Sequence, residues 1–336
     1  MTSDEKYMQR AIKLARLGEG MTRPNPPVGA VLVLEDHIIA EGWHCRAGED
    51  HAERDCLNKL PPIAANLKNA TLYVTLEPCS THGKTPPCTD LILEKGIGRV
   101  VISTVDLNPK HSGHGLKILE EAGVEVVTGV CEDQGRKLIA PFEKFITTGM
   151  PYITLKLAST LDGKIADSQG DSKWITGTEA RERVQEMRRQ ADAIMVGAGT
   201  IRADNPSLLP RPDGDRKPWR VIVGENIPAD SKVLTDDASS RTLLYSGNLE
   251  AMLRDLAQEH GIMHVLCEGG GKLAAGLVDA GLVDEFAFFI APKLMGADGL
   301  PNFWKTGGFI ADVENLMFTS VELLGQDILI KAKSEK

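Results

Sequence analysis

Apolar positions in this 336-residue chain fall into two successive trains of short runs, most of strand length and separated by amphipathic stretches. Residues 4–17 place Met8, Ala11, Ile12 and Ala15 along one side, the spacing of a surface helix, with Ser3 as its expected cap and acids in its first turn. Arg23-Pro24-Asn25-Pro26-Pro27 is too proline-rich for a helix or central strand. It leads into a predicted buried strand, Val28–Leu34, and a second strand, Ile38–Glu41, that ends at Gly42-Trp43-His44. His51 to Leu60 reads as a helix stopped by Pro61-Pro62. Strand 71–76, helix 88–95, strand 99–105, helix 115–122, strand 124–127 and a helix near 131–147 follow. This alternation predicts a largely parallel sheet covered by helices, with a ligand site beyond the strand ends.

Thr147-Thr148-Gly149-Met150-Pro151 punctuates the pattern, so the expected domains are 1–148 and 149–336, both α/β. In the second half, strands are predicted at 152–158, 192–197, 219–223, 242–245, 262–268 and 284–291. A helix near 177–190 and an apolar helix after Gly269-Gly270-Gly271 lie between them, and Asp162-Gly163 turns into Lys164-Ile165-Ala166. Segments 316–323 and 327–332 flank Gly325-Gln326 as a hairpin. Thr200 to Leu208 reads from its pattern as a polar surface loop.

Composition narrows the class of molecule. Apolar content of 42% and charged content of 25% are those of an ordinary globular protein. A net charge of −9, with no basic block, argues against a general nucleic-acid binder but leaves room for a small anion held by a few cations. No apolar run approaches a membrane span and the first residues lack a secretory h-region, so a cytoplasmic location is expected. The composition also leaves room for a homo-oligomer. Six cysteines in a chain of this size do not suggest a disulfide framework.

Those thiols matter because of one interrupted motif: His51-Ala52-Glu53, then Glu77-Pro78-Cys79, then Cys88. One imidazole and two thiolates make a soft donor set suited to tetrahedral zinc, with a fourth position open to water. Bound zinc brings the pKa of such a water to about 7, and Glu53 is free to move protons. His-x-Glu followed by Pro-Cys is the pattern of zinc-dependent deaminases of bases and nucleosides. Their usual Cys-x-x-Cys is replaced here by an eight-residue gap, Ser80 to Pro87. A closed structural site using Cys45 or Cys56 as fourth ligand is the alternative. In the second half, Glu268-Gly269-Gly270-Gly271 between a strand and a helix suits either a phosphate at a helix N-terminus or a tight turn.

Taken in order, these motifs resemble the bifunctional deaminase/reductase family of riboflavin biosynthesis over roughly residues 4–333. The carrying pieces are Pro24-Asn25-Pro26-Pro27-Val28-Gly29, Gly42-Trp43-His44, His51-Ala52-Glu53, and Thr71 to Cys88 with its long cysteine gap. In the second half they are Leu155 to Ala158, Leu161-Asp162-Gly163, Ser172 to Gly177, Gly197 to Leu208 and Glu268-Gly269-Gly270. The resemblance implies a cytidine-deaminase-like α/β/α domain followed by a dihydrofolate-reductase-like α/β domain. The first would remove the 2-amino group of 2,5-diamino-6-ribosylamino-4(3H)-pyrimidinone 5′-phosphate, and the second would reduce the product's ribosyl group to ribityl with NADPH.

By the same resemblance, Glu53 is catalytic and His51, Cys79 and Cys88 hold zinc, while Asn25, His44, His82, Lys84 and Asn108 meet the deaminase substrate. Lys156, Ser172, Arg188, Leu208, Arg211 and Glu268 fall at reductase substrate positions. Ala158, Trp174, Thr200, Asp204 and the run Gly270, Gly271, Lys272, Leu273, Ala274, Ala275 and Gly276 fall at cofactor positions. Arginine and lysine can hold phosphate, and Trp174 offers a flat wall to a nicotinamide or ribose. Two departures stand out: Leu107 where the family often has proline, and Gly224 where an aspartate is expected. A polynucleotide deaminase, or a deaminase of another base with a catalytically silent second domain, is the competing expectation. The Cys-x-x-Cys spacing and basic face of a polynucleotide deaminase are absent.

Overall fold

The computed structural model describes residues 1–60, 67–82, 86–108, 112–214, 216–302 and 315–335. They form two compact units, Met1–Thr148 and Gly149–Lys336.

In the first unit, helix α1 (Ser3–Ala15) starts one residue earlier than its pattern suggested. Thr2 is the cap: its hydroxyl accepts from the Glu5 N–H, and the Glu5 carboxylate accepts from the Thr2 N–H at 2.7 Å. Tyr7, Met8, Ala11 and Ile12 bury its apolar side. Five strands follow, β1 (Gly29–Leu34), β2 (His37–Trp43), β3 (Thr71–Leu76), β4 (Arg99–Thr104) and β5 (Glu125–Thr128), in spatial order β2-β1-β3-β4-β5. Helices α2 (Ala52–Asn58), α3 (Cys88–Glu94), α4 (His114–Glu121) and α5 (Glu132–Thr148) connect them or close the unit. The sheet is mixed and not largely parallel, because β1 is antiparallel to both neighbours. The cause is local. Glu35 and Asp36 both have positive φ, so β1 and β2 are joined by a two-residue hairpin, which admits only antiparallel strands.

Helix α2 packs on β2 at Gly42, where an added Cβ would lie 2.3 Å from the Cys56 nitrogen and 2.6 Å from the Ala52 oxygen. Only glycine allows that approach, which sets the helix carrying Glu53 against the sheet. The expected stop at Pro61-Pro62 lies outside the described residues, but α2 itself ends at Asn58.

The second unit contains β6 (Tyr152–Thr160), β7 (Lys164–Ala166), β8 (Ala193–Gly197), β9 (Trp219–Val223), β10 (Thr242–Tyr245), β11 (His264–Gly269), β12 (Glu285–Ala291), β13 (Leu300–Pro301), β14 (Leu316–Leu324) and β15 (Asp327–Ser334). Its main sheet has the order β10-β9-β8-β11-β6-β12-β15-β14, and β7 pairs with β13 in a small ribbon. From β10 to β12 the strands are parallel, and β15 and β14 are added antiparallel. Its helices are α6 (Thr178–Gln190), α7 (Ala198–Asp204), α8 (Lys232–Thr235), α9 (Leu249–Gln258) and α10 (Gly271–Asp279). Residues of α9 and α10 pack with Leu155, Phe286 and Ala332 on one face of the sheet. On the other face, Ala180, Val184 and Met187 of α6 pack with Phe289 and Leu329. Helix α7 replaces the first part of the expected loop 200–208 and stops at Asn205, which is left-handed with φ 42°.

Candidate active sites

Strand, loop and helix ends bring the first-unit motif together. His51 is the N-cap of α2, Cys79 lies just past β3, and Cys88 opens α3. His51 Nδ1 lies 3.5 Å from each sulfur, and all three donor atoms are within 4.8 Å of one another. Tetrahedral zinc with bonds of about 2.05 Å to nitrogen and about 2.3 Å to sulfur separates those atoms by about 3.6 Å. The donor set therefore fits the ion, and no fourth His, Cys, Asp or Glu joins the group among the described residues. Cys45 packs toward the Trp43 carbonyl, and Cys56 is buried in the core with its thiol pushed up to about 12 by burial. Neither supplies the fourth ligand of a closed site.

The two motif thiols are shifted in opposite directions. A hydrogen bond from the Cys88 thiol, helped by His51 and the Cys88 N–H, brings Cys79 down to about 4. The same hydrogen bond pushes Cys88 up. Burial and the Cys79 charge raise the adjacent Glu53 carboxyl, 4% exposed, to about 7.

Behind this group His44 is buried, with its ring edge-on to His51 at a centroid distance of 5.5 Å. Nδ1 of His44 donates to the Asp50 carbonyl at 2.9 Å, so Nε2 accepts from the Asn25 amide at 3.2 Å. That pair fixes the Asn25 side chain and leaves His44 with both ring nitrogens engaged. Asn108 sits on a loop gathered by a residue outside the expected set, Glu77. Its carboxylate accepts from the N–H groups of Asp106, Gly113 and Gly115, at 3.2, 3.0 and 2.9 Å. Leu107 is exposed in that loop. His82 is exposed, and Lys84 lies outside the described residues.

In the second unit Arg188, in the last turn of α6, meets Glu268 at the end of β11 in a two-pronged ion pair of 2.5 and 2.9 Å. Burial alone would raise the Glu268 carboxyl, but Arg188 and Lys156 outweigh it and hold it below its ordinary range. Lys156, on β6, is lowered by burial. The Arg188 guanidinium is thus committed to a carboxylate, and it also donates to the Leu209 carbonyl at 3.2 Å. Arg211 is exposed, its N–H donating to Gln185. Leu208 is buried at a φ of 60°, and Ser172 is half-buried.

The expected cofactor positions gather around α7 and the start of α10. An added Cβ on Gly269 or Gly270 would lie 3.3 or 3.5 Å from the Thr200 hydroxyl, so that hydroxyl sits against the β11–α10 turn. Lys173 pairs with Asp204 at 3.2 Å, and the neighbouring Trp174 is 65% exposed beneath the Arg181 guanidinium. Within the run Gly270 to Gly276, Leu273, Ala274 and Ala275 are buried. Only Gly270, Gly271 and Lys272 stand at the helix start, and Ala158 packs partly buried against the core. Gly224 has a φ of 119°, with Ala198 3.1 Å from where its Cβ would be, so this backbone has no place for the expected aspartate.

Fold and first site together define a zinc-dependent deaminase of the cytidine-deaminase type, carrying a second α/β domain. The cytidine and deoxycytidylate deaminase zinc-binding region matches residues 1–104, and the RibD C-terminal domain matches residues 151–330. The riboflavin biosynthesis protein RibD of Bacillus amyloliquefaciens is 42% identical over 98% of this chain and 96% of its own length. Its Escherichia coli counterpart is 38% identical over 97% and 98%. A solved Thermotoga maritima structure, described as a diaminohydroxyphosphoribosylaminopyrimidine deaminase/5-amino-6-(5-phosphoribosylamino)uracil reductase, superposes with a TM-score of 0.90 at 40% identity, covering 99% of both chains. Acinetobacter baumannii RibD superposes with a TM-score of 0.89 at 36% identity, also covering 99% of both. This chain belongs to the RibD family, the bifunctional deaminases and reductases of riboflavin biosynthesis.

Proposed function

We propose that the first unit deaminates 2,5-diamino-6-ribosylamino-4(3H)-pyrimidinone 5′-phosphate. The second then reduces the product's ribosyl group with NADPH, giving 5-amino-6-(5-phosphoribitylamino)uracil. The observation that carries the first step is the three-donor group of His51, Cys79 and Cys88 beside a buried carboxyl. When bound there, zinc supplies the Lewis acidity that makes a water nucleophilic at neutral pH. The Glu53 carboxylate, buried beside the donors, would accept a proton from the attacking water and return it to the departing amine. A carboxyl near neutrality suits both transfers. Asn25, held by His44, offers its amide to the pyrimidine edge, while His82, Lys84 and Asn108 serve the phosphoribosyl arm.

In the second unit, Trp174, Thr200, Asp204 and the start of α10 would hold NADPH, which supplies the hydride. Lys156 and Glu268 face the ribosyl group, with Ser172, Leu208 and Arg211 around it. Arg188 acts by fixing Glu268. Protein, diaminopyrimidinone substrate and NADPH incubated together should release ammonia and lose NADPH absorbance in equal amounts. Ammonia without NADPH oxidation would leave the second unit a silent module.

A further inference from the structure

Two positive charges bracket Trp174, and neither has an acid beside it. Arg181, in the first turn of α6, lies over the Trp174 ring with Cζ 4.7 Å from the centroid. Its fork is fixed, with Nη1 donating to the Thr176 carbonyl at 2.7 Å and Nη2 to the Thr178 hydroxyl at 3.1 Å. Lys293, two residues past β12, donates from Nζ to the Trp174 carbonyl at 2.8 Å. Neither cation has a carboxylate partner among the described residues, whereas the adjacent Lys173 is neutralised by Asp204. A cation in the first turn opposes the helix dipole, so helix stability alone does not explain Arg181.

We propose that Arg181 and Lys293 set the redox preference of the cofactor site, disfavouring the oxidised nicotinamide, whose ring is positive, against the neutral dihydronicotinamide. The proposal deepens the function proposed above and rests on its reading of Trp174 as a cofactor wall. Lys293 decides which end of the dinucleotide meets that wall. Strand β12 runs parallel beside β6, and the Lys293 carbonyl accepts from the Leu161 N–H at 2.9 Å, so Trp174 stands at the end of β6. That strand carries Lys156 of the reductase group, and the ring that gives up hydride must reach the same substrate. The cofactor phosphates then fall toward the glycine turn before α10.

An aromatic face attracts a cation, so a bare tryptophan would hold the oxidised ring more tightly than the reduced one. With the Arg181 guanidinium on one face, a positive ring on the other is opposed, and Lys293 adds to the repulsion. Loss of hydride to the ribosyl group leaves the nicotinamide positive, so the same charges speed departure of the spent cofactor. The phosphates are identical in both forms, and their attraction to these cations cancels in the comparison.

Calorimetric titration of the full-length, zinc-loaded protein with NADPH and with NADP+, in the absence of pyrimidine, reads the two dissociation constants. Arg181→Met should lower the ratio Kd(NADP+)/Kd(NADPH) about three- to tenfold, the effect of one charge acting across a partly exposed site. Arg181→Lys, which keeps the charge, should hold the ratio near wild type. Lys293→Met, an exposed change on another element, should lower it about twofold and covers the case of a misfolded Arg181→Met. A ratio unmoved in either folded methionine variant would overturn the proposal. Trp174→Leu separates that failure from failure of the underlying reading, because it should weaken NADPH binding whatever the charges do. Unchanged NADPH binding in Trp174→Leu would remove Trp174 from the cofactor site, and the proposal with it.

Discussion

On the proposed mechanism Glu53 moves protons and Cys88 holds metal, two roles that substitution should separate. Cys88→Ser removes one of three donors and should strip most of the zinc, read as metal per chain after purification without chelator. Glu53→Gln should leave zinc near stoichiometric while ammonia release falls by 10²–10⁴-fold or more. Zinc lost from Glu53→Gln would make the carboxylate a ligand. Arg188 and Arg211 divide in another way. Arg188→Ala would leave the buried Glu268 carboxylate without its partner, a change worth about 3–5 kcal/mol of second-unit stability as well as reductase activity. Arg211→Ala, at an exposed side chain, should lower reductase activity and leave the denaturation midpoint alone. No sequence signal joins Arg188 to Glu268, because the pair spans 80 residues and forms only when α6 docks beside β11. Glu77 was equally hidden: its place in Glu-Pro-Cys was plain, but its three N–H partners lie far along the chain.

Among elements, the fully buried Arg220 of β9 ties α8 and the loop after α7 to the sheet. It pairs with Asp236 at 2.6 and 2.8 Å and donates to the carbonyls of Ser207 and Val233. The Arg220 guanidinium holds the Asp236 carboxyl below its ordinary value. A depressed carboxyl contributes stability that is complete above the unfolded value near 4 and is lost as pH falls through the folded one. Denaturation followed by tryptophan fluorescence should therefore show the second unit weakening below about pH 4. Asp236→Asn should be weaker at pH 7 and flatter with pH, and an equally steep acid loss in that variant would refute the assignment. The alternating runs made most strands and helices of both units legible. Helix α7 was not, because Gly199 and a short polar run look like a turn until the β11–α10 glycines let it pack. Helix α9 went unread despite its signal, Asn248 capping and Met252, Leu253, Leu256 and Ala257 facing inward. The antiparallel β1–β2 pair in the first sheet turned on two left-handed residues, Glu35 and Asp36, that no hydrophobic pattern encodes.

At the scale of the molecule, the zinc donors fall wholly within one compact unit and the Lys156–Glu268–Arg188 group wholly within the other. The two reactions should therefore be separable in one chain. Glu53→Gln, blocked in ammonia release, should still oxidise NADPH at near wild-type rate when given the deaminated uracil intermediate. A reductase lost in that folded variant would show that the sites are coupled. Length and the Gly149-Met150-Pro151 break made the division legible, whereas the residue-by-residue register of β14 on β15 is left open by sequence patterning.

The sulfurs of Cys79 and Cys88, within 4.8 Å of each other, are also a dithiol waiting for an oxidant. While both bind metal, their electron pairs are occupied. Once chelated free, the Cys79 thiolate is the nucleophilic half of a disulfide whose other half is already adjacent. Zinc removal in air should therefore cost two titratable thiols per chain and lock the protein against re-metallation until a reductant is added. The same chelation under dithiothreitol should stay reversible, with zinc restoring ammonia release directly. In a cell, the metal would thus be this centre's antioxidant as well as its Lewis acid.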